Sequence, residues 1–194
     1  MRFLVRFANR AGAVPADRKQ LSKDAYGRVR DFGADLGNLR VSSSAIELDL
    51  LLNTKDRLQE SLNALERQIG PLLTIRQLDV PNPQVAMQEA INMGLDLFNQ
   101  ERYWESHEAL ESAWKMASGD EREILQGLIL IAAALVHWQK NEKEVTLSVI
   151  KRARDKLESH RTEYCGVDLA KLTRRLDGIL DAGKPEFFKI NAGP

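Results

Sequence analysis

The sequence predicts an α+β protein in which strands and helices alternate up to about residue 80 and helices alone follow. The first observation is a change of hydrophobic period, from every second residue in the early strands to every third or fourth residue after Pro81-Asn82-Pro83. The second is a strongly apolar run over residues 124–138, typical of a helix at the centre of a bundle. We therefore expect two domains, residues 1–80 and 84–194.

Strict alternation of apolar residues defines the strands of the first domain. Phe3, Val5 and Phe7 share one side of the first strand, and Leu39 and Val41 mark a short one. Residues 42–44 are three serines and are predicted as a turn. The predicted strands are residues 2–7, 39–41, 45–52 and 72–78.

Two amphipathic helices separate these strands. The first is predicted to begin at Asp17 and to run to about Gly33, and the second opens at Asn53 or Thr54 and stops at Gly70. The resulting order, βαββαβ, resembles a ferredoxin-like domain. This resemblance implies that two helices cover one face of a four-stranded antiparallel sheet, with the first strand in a central position.

The opposite face of the predicted sheet carries charge. It would hold Arg2, Arg6, Arg40, Glu47, Asp49 and Arg76. Such a face can bind single-stranded nucleic acid, but no aromatic residue points outward to stack a base, so nucleic acid is not the expected partner. The alternative is cross-strand pairing of the arginines with Glu47 and Asp49. Leucines on the same face indicate docking on the helical part or on another subunit; they are Leu4, Leu51 and Leu72.

The second domain is predicted to be an all-α bundle of about five helices. The first begins at Asn82-Pro83, and the second contains residues 103–114 and ends near Gly119. The third begins at Asp120, the fourth covers residues 142–160, and the fifth runs from Asp168 to Gly183. Apolar residues of the C-terminal tail are expected to anchor it; they are Phe187, Phe188 and Ile190.

The second helix of the bundle carries the candidate site. Five residues recur at helical spacing on one face, and two tryptophans among them predict that this face is turned inward; they are Trp104, His107, Glu108, Glu111 and Trp114. Gln126 and His137 share one line on the third helix. Antiparallel packing would bring these two toward His107 and Glu111, so we expect one buried polar cluster.

Three interpretations of this cluster remain open. His107, Glu111 and His137 form a ligand set suited to a divalent metal such as zinc, iron or manganese, with Glu108 as a general base on bound water. The stretch nevertheless lacks the second histidine of the zinc-protease helix. The same residues can instead form a hydrogen-bond network between helices. A pocket for a small ligand, walled by tryptophans, is the third; these are Trp104, Trp114 and Trp138. No cofactor other than a metal is expected.

Two family resemblances fall on this region. Gly94, Leu97, Tyr103 and Ser106 stand where a tetratricopeptide repeat places its glycine, large, aromatic and small residues. Because one repeat cannot bury its own face, a repeat array is not expected.

The closer resemblance is to the family known only as domain of unknown function 309, over roughly residues 85–140. It rests on Phe98-Asn99, Tyr103-Trp104-Glu105, His107-Glu108, Leu110-Glu111, Trp114, Gln126-Gly127-Leu128-Ile129, Ala132-Ala133-Ala134 and His137. The resemblance implies a small helical bundle without an established activity, although such proteins are sometimes labelled metal-dependent hydrolases. The sequence departs from the family at Glu101, where glycine is usual, at Ser106, where alanine is usual, and at Leu130, where glutamine is frequent.

Composition narrows the functional classes. Lys and Arg number 28, as do Asp and Glu, so a neutral chain has no strong general attraction to nucleic acid or an anionic membrane. Cys165 is the single cysteine, which excludes an intrachain disulfide, and no acid–base partner stands near it in sequence, so we interpret it as an incidental thiol rather than a nucleophile. The N-terminus lacks the apolar core of a signal peptide, and no run has transmembrane length, so a cytoplasmic protein is expected.

These observations predict a binding, regulatory or scaffold module with a protein partner. The very apolar third helix and the open sheet face also predict a homodimer or an intimate domain interface. The alternative function is a metal-dependent hydrolase of a small substrate that uses His107, Glu108, Glu111 and His137.

Overall fold

The structure, a computed structural model, describes residues 1–80, 85–160 and 162–190. A four-stranded sheet with two helices is followed by a helical region, which confirms the α+β class. The chain forms two compact units, one from the first 80 residues with residues 139–141 and one from most of the rest. The domain boundaries at 1–80 and 84–194 stay a prediction, and the Pro81-Asn82-Pro83 linker lies outside the described residues.

The first unit has the strand order β2-β3-β1-β4 with all neighbours antiparallel. Its elements are β1 (Arg2–Ala8), α1 (Arg18–Val29), β2 (Ala34–Val41), β3 (Ala45–Leu52), α2 (Leu58–Ile69) and β4 (Leu72–Gln77). Phe3 lies opposite Leu50, and Val5 lies opposite Leu48, so apolar side chains meet across the central strands. These side chains form the core with residues of both helices. The ferredoxin-like plan and the central first strand are confirmed.

The observed β2 is longer than the strand predicted from Leu39 and Val41. It begins at Ala34, directly after Gly33, whose φ of 69° turns the chain. The register shifts between Gly37 and Arg40, and Asn38 has a φ of 48°. This bulge interrupts the alternation of the side chains, which is why the start of the strand was hidden in the sequence.

The charged face of the sheet is a network of ion pairs. Arg40 lies between Glu47 and Asp49, with N–O distances of 3.4 and 3.3 Å. Arg2 pairs with Asp49 at 2.6 Å, and Arg6 pairs with Glu47 at 3.3 Å. Cross-strand pairing is therefore confirmed, and Arg40, Glu47 and Asp49 are all buried.

The second unit is helical, with a small hairpin near its end. Its elements are α3 (Met87–Asn99), α4 (Tyr103–Trp114), α5 (Gly119–Gln139), α6 (Lys143–Leu157), β5 (Glu163–Tyr164), β6 (Val167–Asp168) and α7 (Leu169–Ala182). The predicted helix start at Asn82-Pro83 lies outside the described residues, and the first described helix of this unit begins at Met87. No helix in the described ranges is long and apolar enough to cross a membrane.

Local chemistry sets several ends of these elements. Asp168 caps α7 by accepting a hydrogen bond from the Lys171 N–H at 2.8 Å, and Gly183, with a φ of 58°, ends the helix. The hairpin lies between the predicted fourth and fifth helices, and its turn places Cys165 and Gly166 at φ values of 48° and 78°. Two-residue strands are too short to produce a visible alternation.

Candidate functional site

The site is built on the close pair of α3 and α4. Gly94 lies against Leu110 so tightly that an added Cβ would stand 2.6 Å from the Leu110 Cγ. The hydroxyl of Ser106 donates to the carbonyl oxygen of Gly94 at 2.7 Å, and both residues are buried. The Ser106 hydroxyl therefore has its hydrogen bond satisfied between the two helices.

The turn into α4 fixes the direction of the helix. The Arg102 N–H donates to the Leu97 carbonyl oxygen at 3.0 Å, and Glu101 adopts a left-handed conformation with a φ of 60°. This pattern closes α3 as in a Schellman motif. The Arg102 guanidinium also donates two hydrogen bonds, of 2.7 and 2.8 Å, to the Glu105 carboxylate.

The core-facing side of α4 is not the side that the sequence indicated. Tyr103, Ser106, Leu110 and Ala113 are buried and contact the rest of the bundle. The five predicted residues lie on the adjoining side and are all half-buried; they are Trp104, His107, Glu108, Glu111 and Trp114, which we call the α4 surface. The face predicted to be turned inward is therefore only half-buried, because small and apolar residues at Ser106, Leu110 and Ala113 allow the closer approach while the carboxylates keep access to water.

The predicted polar cluster is not joined by direct bonds. Between residues 85 and 160, no hydrogen bond or ion pair links His107, Glu111, Gln126 and His137 to one another. Glu111 instead lies 3.7 Å from the Lys115 ammonium, and its side chain is 42% exposed. His137 pairs through Nδ1 with Glu142 at 2.5 Å.

The ligand set proposed for a metal is likewise not gathered at one point. No group of three or more His, Cys, Asp or Glu side chains in the described part of the chain is placed to hold a metal ion. His137 is held at the turn between α5 and α6, where Asn141 has a φ of 61°. Metal binding by His107, Glu111 and His137, with Glu108 as base, stays a prediction.

Trp114 and Trp138 contact different residues. The Arg122 guanidinium lies 3.8 Å from the Trp114 ring centre and donates to the Trp114 and Ala117 carbonyl oxygens at 3.3 and 3.2 Å. Arg122 thereby satisfies carbonyl oxygens at the C-terminal end of α4, which ends at Trp114 rather than near Gly119 as predicted. Trp138 packs on Phe187 with 6.4 Å between the ring centroids. A pocket walled by Trp104, Trp114 and Trp138 stays a prediction.

An aromatic cluster beside the site was missed in the sequence. The Tyr103 ring stacks on Phe187 at 5.9 Å and meets the edge of Phe98 at 4.9 Å. Burial raises the pKa of the Tyr103 phenol well above its usual value. Asn99 accepts a hydrogen bond from the Ile190 N–H at 2.9 Å, so the tail is anchored as predicted. The order Phe98-Asn99 near Tyr103 was visible in the sequence, but its contact with residues so distant along the chain was not.

The second unit is a mainly helical domain in which α3 and α4 pack closely together. Residues 91–149 match the model of Domain of unknown function (DUF309), which spans most of α3, all of α4 and α5, and the first part of α6. The match confirms the resemblance for this part of the chain. No curated protein matches the chain.

Proposed function

We propose that the protein is a binding or scaffold module whose α4 surface docks a basic segment of a protein partner. The observation that carries this proposal is the difference in burial between the two sides of α4. Its core contacts are made by the side with Tyr103 and Leu110, whereas the five residues of the α4 surface remain half-buried. A half-buried tryptophan such as Trp104 is typical of recognition surfaces, whereas Trp114 packs against the core and its ring is covered by Arg122.

The chemistry of the α4 surface favours a cationic partner. Glu108 and Glu111 are adjacent on the helix surface at i and i+3, and Trp104 lies one turn before Glu108. Carboxylates pair with Lys or Arg side chains, and an indole face attracts the same cations. Arg122 over Trp114 is an example of this contact within the chain itself.

The test uses synthetic peptides of equal length that are rich in Lys and Leu, in Glu and Leu, or in Ser and Leu. Binding is followed by tryptophan fluorescence and by calorimetry at two salt concentrations. We expect the Lys-rich peptide alone to bind, more weakly at high salt, because the pairs are partly exposed to solvent. The double variant Glu108→Gln/Glu111→Gln should weaken this binding about tenfold, which corresponds to about 1.4 kcal/mol.

The matched control is Glu144→Gln/Glu163→Gln, which removes the same charge from exposed positions of α6 and β5. Equal weakening in both double variants, or no binding of the basic peptide, would contradict the proposal.

The metal-dependent hydrolase is separated by a second measurement. Elemental analysis of protein purified without a histidine tag should find metal in stoichiometric amount, lost in His107→Ala, only if that alternative holds. Such a result would replace the binding proposal.

A further inference from the structure

The outer edge of β4 is open. β4 pairs with β1 on one side, and no other strand in the described part of the chain pairs with it on the other side. The Leu78 N–H donates to the Arg2 carbonyl oxygen at 2.8 Å, and bonded pairs alternate along an antiparallel ladder. Thr74 and Arg76 therefore bond to β1, while Ile75 and Gln77 direct their N–H and C=O groups outward. Leu73 and Ile75 on this edge are 46% and 40% exposed.

The other edge of the same sheet, β2, is protected. It has a bulge between Gly37 and Arg40, a left-handed Asn38 and an exposed Asp35 whose carboxylate accepts the Leu36 N–H at 2.8 Å. Bulges and charges of this type prevent another chain from pairing. In β4 the register shift leaves Leu73 without a partner in β1, and from Thr74 to Gln77 the pairing is regular, with Arg76 as the one charged residue and no lysine or proline. The regular segment from Thr74 to Gln77 therefore offers another strand a better pairing edge than β2, whose bulge lies in the middle of the strand.

We propose that β4 pairs antiparallel with β4 of a second copy of this chain, about a two-fold axis at Ile75. An antiparallel pair of identical strands is self-complementary, so the same edge serves both protomers. In this register Ile75 lies opposite the partner's Ile75, Leu73 lies opposite the partner's Gln77, and Arg76 lies opposite the partner's Thr74. The exposed Leu73 and Ile75 side chains would then be covered.

The register with its axis at Ile75 is favoured over the two neighbouring registers, because one of those opposes like charges and the other opposes a proline. An axis at Arg76 would place the two arginines directly opposite each other, which is unfavourable. An axis at Thr74 would place Gln77 opposite the partner's Pro71, which has no N–H to donate. The axis at Ile75 avoids both. Because one strand edge buries little area, the dimer is a weak and concentration-dependent one.

The first test is sedimentation equilibrium of the full chain from micromolar to millimolar concentration. We expect a monomer–dimer equilibrium whose dissociation constant rises at least about tenfold in Ile75→Lys, since two like charges would meet at the axis. Ile75 does not bond to β1 through its backbone, so unfolding of the variant should stay cooperative. The matched control, Val145→Lys, replaces a similarly exposed apolar residue on α6 and should dimerise as the parent does. A chain that stays monomeric, or a dimer that survives Ile75→Lys, would overturn the proposal.

The second test fixes the register by cysteine pairing in a Cys165→Ser background. Residues bonded opposite each other have Cα atoms about 5.5 Å apart, within the range of a disulfide. Ile75→Cys should therefore form a disulfide-linked dimer under mild oxidation, whereas Gln77→Cys alone should not. Linkage by Gln77→Cys and not by Ile75→Cys would contradict the axis. The proposed dimer does not depend on the proposed function, because the β4 edge and the α4 surface are tested by different experiments.

Discussion

At the scale of single residues, Glu101 occupies a backbone conformation that favours glycine. Its φ of 60° closes α3 and starts α4, and an L-residue with a Cβ pays a steric cost there. The Glu101→Gly variant should raise the free energy of unfolding by about 0.5–1 kcal/mol, the steric gain being partly offset by the greater freedom of glycine in the unfolded chain. Urea unfolding followed by circular dichroism measures this difference.

The control for this prediction is Asn141→Gly. Asn141 has a similar φ of 61°, but asparagine tolerates the left-handed region better than glutamate. The control should therefore gain less stability than Glu101→Gly. A loss of stability in Glu101→Gly would mean that contacts of the glutamate side chain outweigh the backbone strain.

At the scale of elements, sequence periodicity was reliable where one face of an element is fully buried. β1 and β3 alternate because Val5, Phe7, Leu48 and Leu50 meet in the core, so their limits were found to within a residue. The orientation of α4 was harder to predict from the sequence. Ser106 and Ala113 mark the close helix contact but are only weakly hydrophobic, whereas tryptophans dominate a hydrophobic stripe even when they lie half-exposed. Close approach between helices is a pairwise property that one helix alone does not encode.

The contact between α3 and α4 gives the prediction for this scale. In Gly94→Ala the new methyl would stand 2.6 Å from the Leu110 side chain, which is buried and cannot move away. Overpacking costs about 1–3 kcal/mol, against a gain of about 1 kcal/mol in helix propensity, so the variant should lose up to about 2 kcal/mol of unfolding free energy.

Gly178→Ala in α7 is the matched control, since a Cβ at Gly178 meets nothing within 4 Å. This variant should be stabilised by up to about 1 kcal/mol through propensity alone. Equal and favourable shifts in both variants, measured by thermal unfolding, would show that the helix contact has room to spare.

At the scale of the whole molecule, the chain has 28 basic and 28 acidic side chains, but the two units place their charged side chains in different environments. The second unit exposes carboxylates on the α4 surface, whereas the first unit buries Arg40, Glu47 and Asp49 within its sheet network. Composition alone predicted neutrality but not this distribution. The alternating positions of the charges on β1, β2 and β3 did indicate it, because antiparallel register brings residues of the same face together.

Burial decides what each of these pairs contributes to stability. Asp49 receives the Arg2 guanidinium at 2.6 Å, the Asn38 amide at 2.7 Å and the Arg40 guanidinium at 3.3 Å. The Asp49→Ala variant would leave the buried Arg40 with fewer partners, which should cost about 3–5 kcal/mol of unfolding free energy. Glu60→Ala removes the exposed pair with Arg57, also at 2.7 Å, and should cost far less than Asp49→Ala.

Chemical unfolding in urea at low and high salt distinguishes the two pairs. Salt should reduce the contribution of the Arg57–Glu60 pair, because both side chains are about half exposed, with relative areas of 56% and 47%. The Asp49→Ala loss should hardly change with salt, since Asp49 and Arg40 are each 2% exposed. The double variant Arg40→Met/Asp49→Leu should recover part of the loss, because apolar groups of similar size remove the uncompensated charge. If Asp49→Ala proved as mild as Glu60→Ala, the sheet network would not be a buried determinant of the first unit's stability.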